Sequence, residues 1–177
     1  TRPDAEYQQI ADDGIAEIVA EAARHDLPVM AHAHGARAAE SAARAGVRSI
    51  EHGWFLDEEA VAAMAEHDTW LVPTLPAVHG EEAGPDAPPW LPRAKEASAR
   101  SFAMALDAGI PMAMGTDCPV VPHARRLEEL ALMHRLGLDA AGVWRTSTSD
   151  AVEGDPWSFD GLDSRVRRVW KDGVPVR

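Results

Sequence analysis

Four residues in this chain have types and positions suited to chemistry: His32 and His34 in "VMAHAHG", His52 in "SIEHG", and Asp117 in "IPMAMGTD". The histidines sit where a short apolar run gives way to glycine, and Asp117 closes another such run. Imidazole and carboxylate are donors that zinc or iron takes, and a catalytic ion keeps one position open for water. Such an ion brings the pKa of its water down toward ~7. A carboxylate at the mouth can then take the proton and pass it to a leaving group. The competing reading is structural, because a single histidine at a strand end serves more often as a hydrogen-bonded polar residue than as a ligand. What favours a metal is that several such residues close successive strands.

The elements that would hold them follow one plan: an alanine-rich helix, a break, then an apolar strand. The first helix is predicted over "DDGIAEIVAEAARHD", with Asp12 or Asp13 as its cap and Ile15, Ile18, Val19, Ala22 and Ala23 as a buried stripe. Strand "LPVMAHA" follows. The second helix, "ARAAESAARAG", should end at Gly46 in a left-handed C-cap and lead to strand "VRSIEHG". The third opens on the acidic "LDEEA", as the helix dipole prefers, and leads to "TWLVPTL". The fourth, "RAKEASARSFAMALDAG", leads to "IPMAMGTD", and two further helical stretches follow, "ARRLEELALMHRLG" and "LDAAGVWRTS". Helices alternating with short strands mean βα units and a parallel sheet. Ligands of such sheets bind at the carboxyl ends of the strands. Here those ends are His32, His52, Thr74 and Asp117, so three of four carry a potential ligand.

The remaining histidines divide in two. His25, His67 and His134 fall at helix C-termini, where a cation suits the dipole, and need no further role. His79 and His123 fall in loops after the third and fourth strands, facing the same mouth, where each either touches substrate or is simply exposed. His79 belongs to "PAVHGEEAGPDAPPWLP", a Pro/Gly-rich loop of the kind used as a lid or binding loop, in which Trp90 could shape specificity. The tail "RVRRVWKDGVPVR" reads as a hairpin about Asp172-Gly173.

Bulk properties narrow the class. The chain has 177 residues, 46% of them hydrophobic and 26% charged, an ordinary globular composition. A net charge of −12 argues against nucleic-acid binding, which relies on basic patches. No apolar run approaches the roughly 20 residues of a membrane span, and "TRPDAEYQQI" lacks the pattern of a signal peptide. A single cysteine, Cys118, excludes an internal disulfide. The expectation is a cytoplasmic protein with no nucleic-acid or membrane partner.

Taken in order, "VMAHAHG", "AGVRSIEHG", "TWLVPTL" and "AGIPMAMGTDCP" resemble the metal-dependent amidohydrolase superfamily. Within it they are similar to the imidazolonepropionase-like and prolidase-like (Xaa-Pro dipeptidase) branch. The resemblance runs from residue 5 to residue 148, and the tail is similar to that branch's closing hairpin. It implies an α/β fold: the C-terminal half of a TIM-like (β/α)8 barrel over 5–148, then a C-terminal β segment over 149–177. It further implies one or two divalent ions, with zinc the expected metal, held by His32, His52 and Asp117. Asp117 would also shuttle the proton, while His34 contacts the scissile carbonyl and His123 lies on the substrate side.

The reaction so implied is hydrolysis of an amide or peptide bond by metal-activated water, on an Xaa-Pro dipeptide or an N-acyl amino acid, in a homo-oligomer. A cyclic-amide hydrolase or deaminase is the variant within the same chemistry. The sequence departs from the family pattern in three places. The first-strand "HxH" pair is absent, since the one "HxH" here, His32 to His34, lies on the fifth-strand segment. The fourth-strand lysine has no counterpart, Lys95 and Lys171 being in a helix and a hairpin. A segment expected after Thr148 is missing. The expectation is therefore an incomplete chain that alone binds zinc weakly and turns over little, with a truncated, non-catalytic barrel scaffold as the competing class.

Overall fold

A computed structural model describes residues 6–79 and 88–147, together with the backbone of four short strands beyond them. Three parallel strands form its centre: β1 (Met30–Gly35), β2 (Ser49–Phe55) and β3 (Trp70–Val72), in that spatial order. They alternate with helices α1 (Asp12–Ala23), α2 (Ala36–Ala45), α3 (Glu58–Glu66), α4 (Pro76–His79) and α5 (Leu91–Asp107). A 3-10 turn (His123–Arg125), α6 (Glu128–Arg135) and α7 (Ala140–Arg145) follow. The parallel βα plan predicted from the sequence is therefore present.

The fourth predicted strand is reduced. Met112 makes one parallel bridge to Leu71, through Leu71 N–H to Pro111 O at 3.0 Å and Ala113 N–H to Leu71 O at 3.0 Å. Beyond it the backbone leaves the ladder, and Met114 N–H bonds instead to Thr146 O after α7. Farther along, β4 (Ala151–Val152) pairs antiparallel with β5 (Val166–Arg168), and β6 (Trp170–Lys171) with β7 (Val174–Pro175). The predicted turn residues Asp172 and Gly173 lie outside the described residues, as do residues 80–87 of the long loop and most of 149–177.

The helix boundaries follow local chemistry. Gly46 closes α2 at φ +90, the left-handed cap predicted for it. Asp57 caps α3, its carboxylate accepting from Ala60 N–H at 2.9 Å, with Glu58 and Glu59 in the first turn. The start of α1 differs from expectation. Ala11 occupies the cap position, and Asp12 turns away to α2, where it accepts from Ser41 Oγ at 2.6 Å and pairs with Arg37 at 2.6 Å. The hydrogen bonds from Ser41, Gln8 and Arg37 pull the Asp12 pKa down to about 2. A side chain held by two partners on α2 and by Gln8 in the segment before α1 is not free to cap its own helix.

Packing seals one side of the sheet. Ile50, Leu71, Leu75, Met64, Phe102, Leu130 and Met133 are fully buried where α3, α5 and α6 close over β2 and β3. Ser101 of α5 also ties down the end of β2: it donates to Trp54 O at 3.0 Å and accepts from Leu56 N–H at 2.9 Å. The α1 side is different. No residue of α1 is buried; Ile15 and Val19 touch the core, but Ile18 of the predicted stripe stands 47% exposed. The outer edge of β1 has no strand partner among the described residues, so nothing covers that part of the stripe.

Candidate metal centre

His32 and His34, two apart on β1, project from the same face of that strand. His52 lies opposite Ala33 in the register, so regular alternation would aim it with Ala33 toward the other face. Two features undo that alternation. The ladder shifts register between Ala33 and Gly35, and His52 adopts φ +77, followed by Gly53 at φ +57. An added Cβ at Gly53 would lie 2.8 Å from Leu71 Cδ1, so this left-handed step needs glycine on two counts. The three rings consequently converge, with centroids 4.6 Å (His32–His34), 4.5 Å (His32–His52) and 4.6 Å (His34–His52) apart. One ring nitrogen from each lies within 4.8 Å of the others.

The hydrogen bonds orient the rings. His52 Nδ1 is 2.7 Å from Thr74 Oγ1, and His52 Nε2 is 2.9 Å from His32 Nδ1. The His34 ring lies tilted against that of Trp54, centroids 4.3 Å apart, and Trp54 is anchored by its indole N–H to Pro73 O at 3.2 Å. His34 Nδ1 is buried with no hydrogen-bond partner among the described residues. Burial, with the charge of neighbouring histidines, pushes the His34 pKa down to about 4 and that of His52 to about 3. Both rings are therefore neutral at pH 7, the form that ligates a metal. Three imidazoles in mutual reach, those of His34 and His52 held neutral by burial and His34 with a buried nitrogen that lacks a hydrogen-bond partner among the described residues, suit a transition-type divalent cation such as zinc. This donor set fits.

Backbone strain marks the same places. Among the described residues, the non-glycine residues with positive φ are Asp26, His52, Asp68, Thr74 and Asp117. Three of them, His52 (+77), Thr74 (+50) and Asp117 (+58), are strand-end positions singled out by the sequence. For β-branched Thr74 this conformation is a genuine outlier, held only because its surroundings over-determine it.

A cavity of about 750 Å³ opens at these strand ends. His32, His34, His52, Trp54, Trp90 and Asp117 all line it, with Asp117 half-buried. The metal triplet by proximity is thus His32, His34 and His52, with Asp117 outside the tight cluster but on the same wall. His123 is exposed on its 3-10 turn and is not among the lining residues. His79 bonds Ser98 Oγ at 2.9 Å away from the cavity, its pKa lowered to about 4 by burial and by Lys95 and Arg135. His25 faces Glu21 at 3.2 Å, His67 is the C-cap of α3, and His134 faces Leu138 O at 3.0 Å. Those three have the local contacts that a helix end provides.

Sequence reading gave no role to Trp54, Thr74 or Glu129. Trp54 follows two residues after His52 on the same strand and could have been found by alternation. Glu129 is fully buried between Leu130 and the turn after β3. Its one sequence signal is a carboxylate four residues before Met133 on the apolar stripe of α6.

Comparison with known proteins places these features in a wider set. Residues 4–153 match the model of the amidohydrolase family. An uncharacterized protein of Mycobacterium tuberculosis is 32% identical over 166 residues, covering 88% of this chain and 44% of that protein. Ochratoxinase of Aspergillus niger is 30% identical over 152 residues, 82% of this chain and 31% of the enzyme. Among solved structures, a Xaa-Pro dipeptidase with methionine bound in its active site superposes with a TM-score of 0.78 at 30% identity, over 94% of this chain and 49% of that one. The A. niger ochratoxinase structure gives 0.80 at 25% identity, over 97% and 46%. The chain spans about half the length, or less, of the relatives it matches.

Proposed function

The chain belongs to the amidohydrolase family, and from that premise we propose that it carries the metal-holding wall of a hydrolase for amide or peptide bonds. The observation behind this reading is the convergence of His32, His34 and His52 at the head of a cavity that Asp117 also lines. Similarity to a Xaa-Pro dipeptidase and to ochratoxinase favours an Xaa-Pro dipeptide or N-acyl amino acid as substrate, with a cyclic amide as the variant. Zinc is the proposed metal, and a cytoplasmic homo-oligomer the proposed setting.

In this reading His32 and His52 would ligate through the nitrogens that now face each other, and Asp117, which lines the same cavity, would complete the set. A divalent ion so held would supply a water whose pKa is brought toward ~7. Asp117, lining the same cavity, would take up a proton from the attacking water and return it to the departing amine. His34 faces the carbonyl oxygen, backed by the Trp54 ring. The apolar wall of Trp54 and Trp90 excludes bulk water and packs the substrate side chain. A second reading makes His34 the third ligand in place of Asp117; its unpartnered Nδ1 and its place inside the tight cluster favour that.

Elemental analysis of protein with a verified intact mass tests the proposal. Weakly held zinc, at one or two ions per chain when saturated, is expected and should fall to background in His52→Ala, with at most slow hydrolysis of a dipeptide and N-acyl amino acid panel by this half-length chain. Retention of zinc by His34→Ala but not by Asp117→Asn selects the first ligand set, and the reverse selects the second. No zinc in the wild type would leave the scaffold reading.

A further inference from the structure

Glu129 has no place in the chemistry above, yet it is a carboxyl buried completely in the core. It is 0% exposed, and neither carboxyl oxygen has a hydrogen-bond partner among the described residues. An unpaired buried carboxyl costs several kcal/mol relative to an apolar residue. Its neighbours Leu130 and Met133, also buried, indicate that an apolar side chain would fit this stripe of α6. Desolvation accordingly drives its pKa well above the ordinary carboxyl value, against a smaller opposing pull from two backbone amides.

Those amides belong to Leu75 and Thr74. They face the carboxyl without reaching the full geometry of a hydrogen bond. Thr74 is the strained residue of this turn, at φ +50. Successive N–H groups about a left-handed residue form a concave nest that suits an acceptor oxygen, which a carboxyl presents in its neutral form as well. The hydroxyl of the same Thr74 lies 2.7 Å from His52 Nδ1, and His52 Nε2 faces His32. A short path of contacts therefore runs from a buried carboxyl to a strained backbone turn, to a hydroxyl, to the ring of a candidate ligand.

We propose that Glu129 is a positioning residue: it holds the Thr74–Leu75 turn in its left-handed form and through the Thr74 hydroxyl fixes the orientation and tautomer of His52. With Thr74 Oγ1 as acceptor, His52 carries its proton on Nδ1 and leaves the Nε2 lone pair toward the cavity. A partner on the far nitrogen is what orients and sharpens a metal-binding histidine. Without Glu129 the Thr74 peptide relaxes, the hydroxyl withdraws, and the His52 ring loses its fixed tautomer. The consequence for metal affinity rests on the metal reading above; the consequence for the His52 ring does not.

The test uses the full chain with 15N-labelled histidine, comparing wild type with Glu129→Met, Glu129→Gln and Thr74→Val. In the metal-free wild type His52 should show a single tautomer protonated on Nδ1. Glu129→Met should give mixed-tautomer shifts at His52, and with them at its hydrogen-bonded neighbour His32, and weaken zinc binding about tenfold to a hundredfold. Glu129→Gln, which keeps an oxygen acceptor at nearly the same volume, should restore most of the wild-type spectrum and lose only about threefold to tenfold in zinc affinity. Thr74→Val should match Glu129→Met, and Glu129→Gln should add nothing to it. A folded Glu129→Met with the His52 spectrum of wild type overturns the proposal. Should Glu129→Met not fold, full additivity of Glu129→Gln with Thr74→Val overturns it, and non-additivity upholds it. A wild type that binds no zinc but shows the same Glu129-dependent His52 shifts retires the metal reading and keeps the link.

Discussion

Two flanks of one sheet are treated differently by water. Around β2 and β3, Ile50, Leu71 and Phe102 are sealed; around β1 and α1, Met30 and Ile18 are equally apolar and stand 67% and 47% exposed. The sequence pattern that produces these elements is the same on both sides. The difference lies in the neighbours. β2 is paired on both edges and roofed by α5, whereas β1 pairs only with β2 among the described residues. The histidine cluster straddles the two regimes. His34 and His52 are buried and His32 is exposed, although the rings are less than 5 Å apart. Periodicity thus says which residues share a face, and the neighbouring element decides whether that face is dry.

Breaking the sealed flank should have the largest effect. Phe102→Ala removes a fully buried ring and should cost about 3–5 kcal/mol of unfolding free energy, read from urea midpoints at constant m-value. A cost below ~1 kcal/mol would mean that this side is no better packed than the other.

The next effect comes from acid and concerns the dry part of the cluster. His52 and His34 have folded pKa values near 3 and 4, below the ordinary 6.5, and His79 lies near 4. As pH falls through 6.5 the unfolded chain binds protons that these buried rings refuse. These three rings therefore contribute stability that is level above pH 6.5 and declines between pH 6.5 and about 3, while buried Glu129, its pKa raised, acts in the opposite sense. Each ring contributes about 2–3 kcal/mol of this loss by pH 4.5 before solvent screening and the opposing effect of Glu129, so a net loss of several kcal/mol is expected for metal-free protein, measured by urea unfolding at pH 7.5, 5.5 and 4.5. A flat profile across that window would mean that the cluster is open to water.

Ile18→Ala, on the open flank, should change stability by no more than about 0.5 kcal/mol. Its value is as a sharpener of the contrast. A loss of 2 kcal/mol or more in the same assay would show that something covers α1 in solution.

Much of the plan was legible in advance. The alternation of helix and strand, the left-handed Gly46, the acidic opening of α3 and the family itself follow from local pattern and from strings such as "SIEHG" and "GTD". Local competition accounts for one departure: Asp12 cannot cap α1 because Ser41, Gln8 and Arg37 claim its oxygens from elsewhere. Tertiary context accounts for others. "IPMAMGTD" has the composition of a strand, but Met114 spends its N–H on Thr146, so the ladder stops after one bridge. In the candidate site, His32, His52 and Asp117 were proposed from their strand-end positions, and the structure brings His32 and His52 together with His34 while Asp117 shares their cavity wall. Glu129 could be found only weakly, as a charge on an apolar stripe, because what it faces is 54 residues away along the chain.

The sequence by itself determined the family, the βα order and the residue types at the strand ends, because these depend on side-chain chemistry and short spacing. Only the tertiary structure decided that His52 crosses to the face of His32 and His34, that Thr74 is strained beneath it, and that a buried carboxyl stands behind that turn. Those outcomes rest on a left-handed backbone at a register shift and on contacts between distant segments. A one-dimensional pattern carries neither, since the energy that selects a strained φ comes from the packing around it rather than from the residue that adopts it.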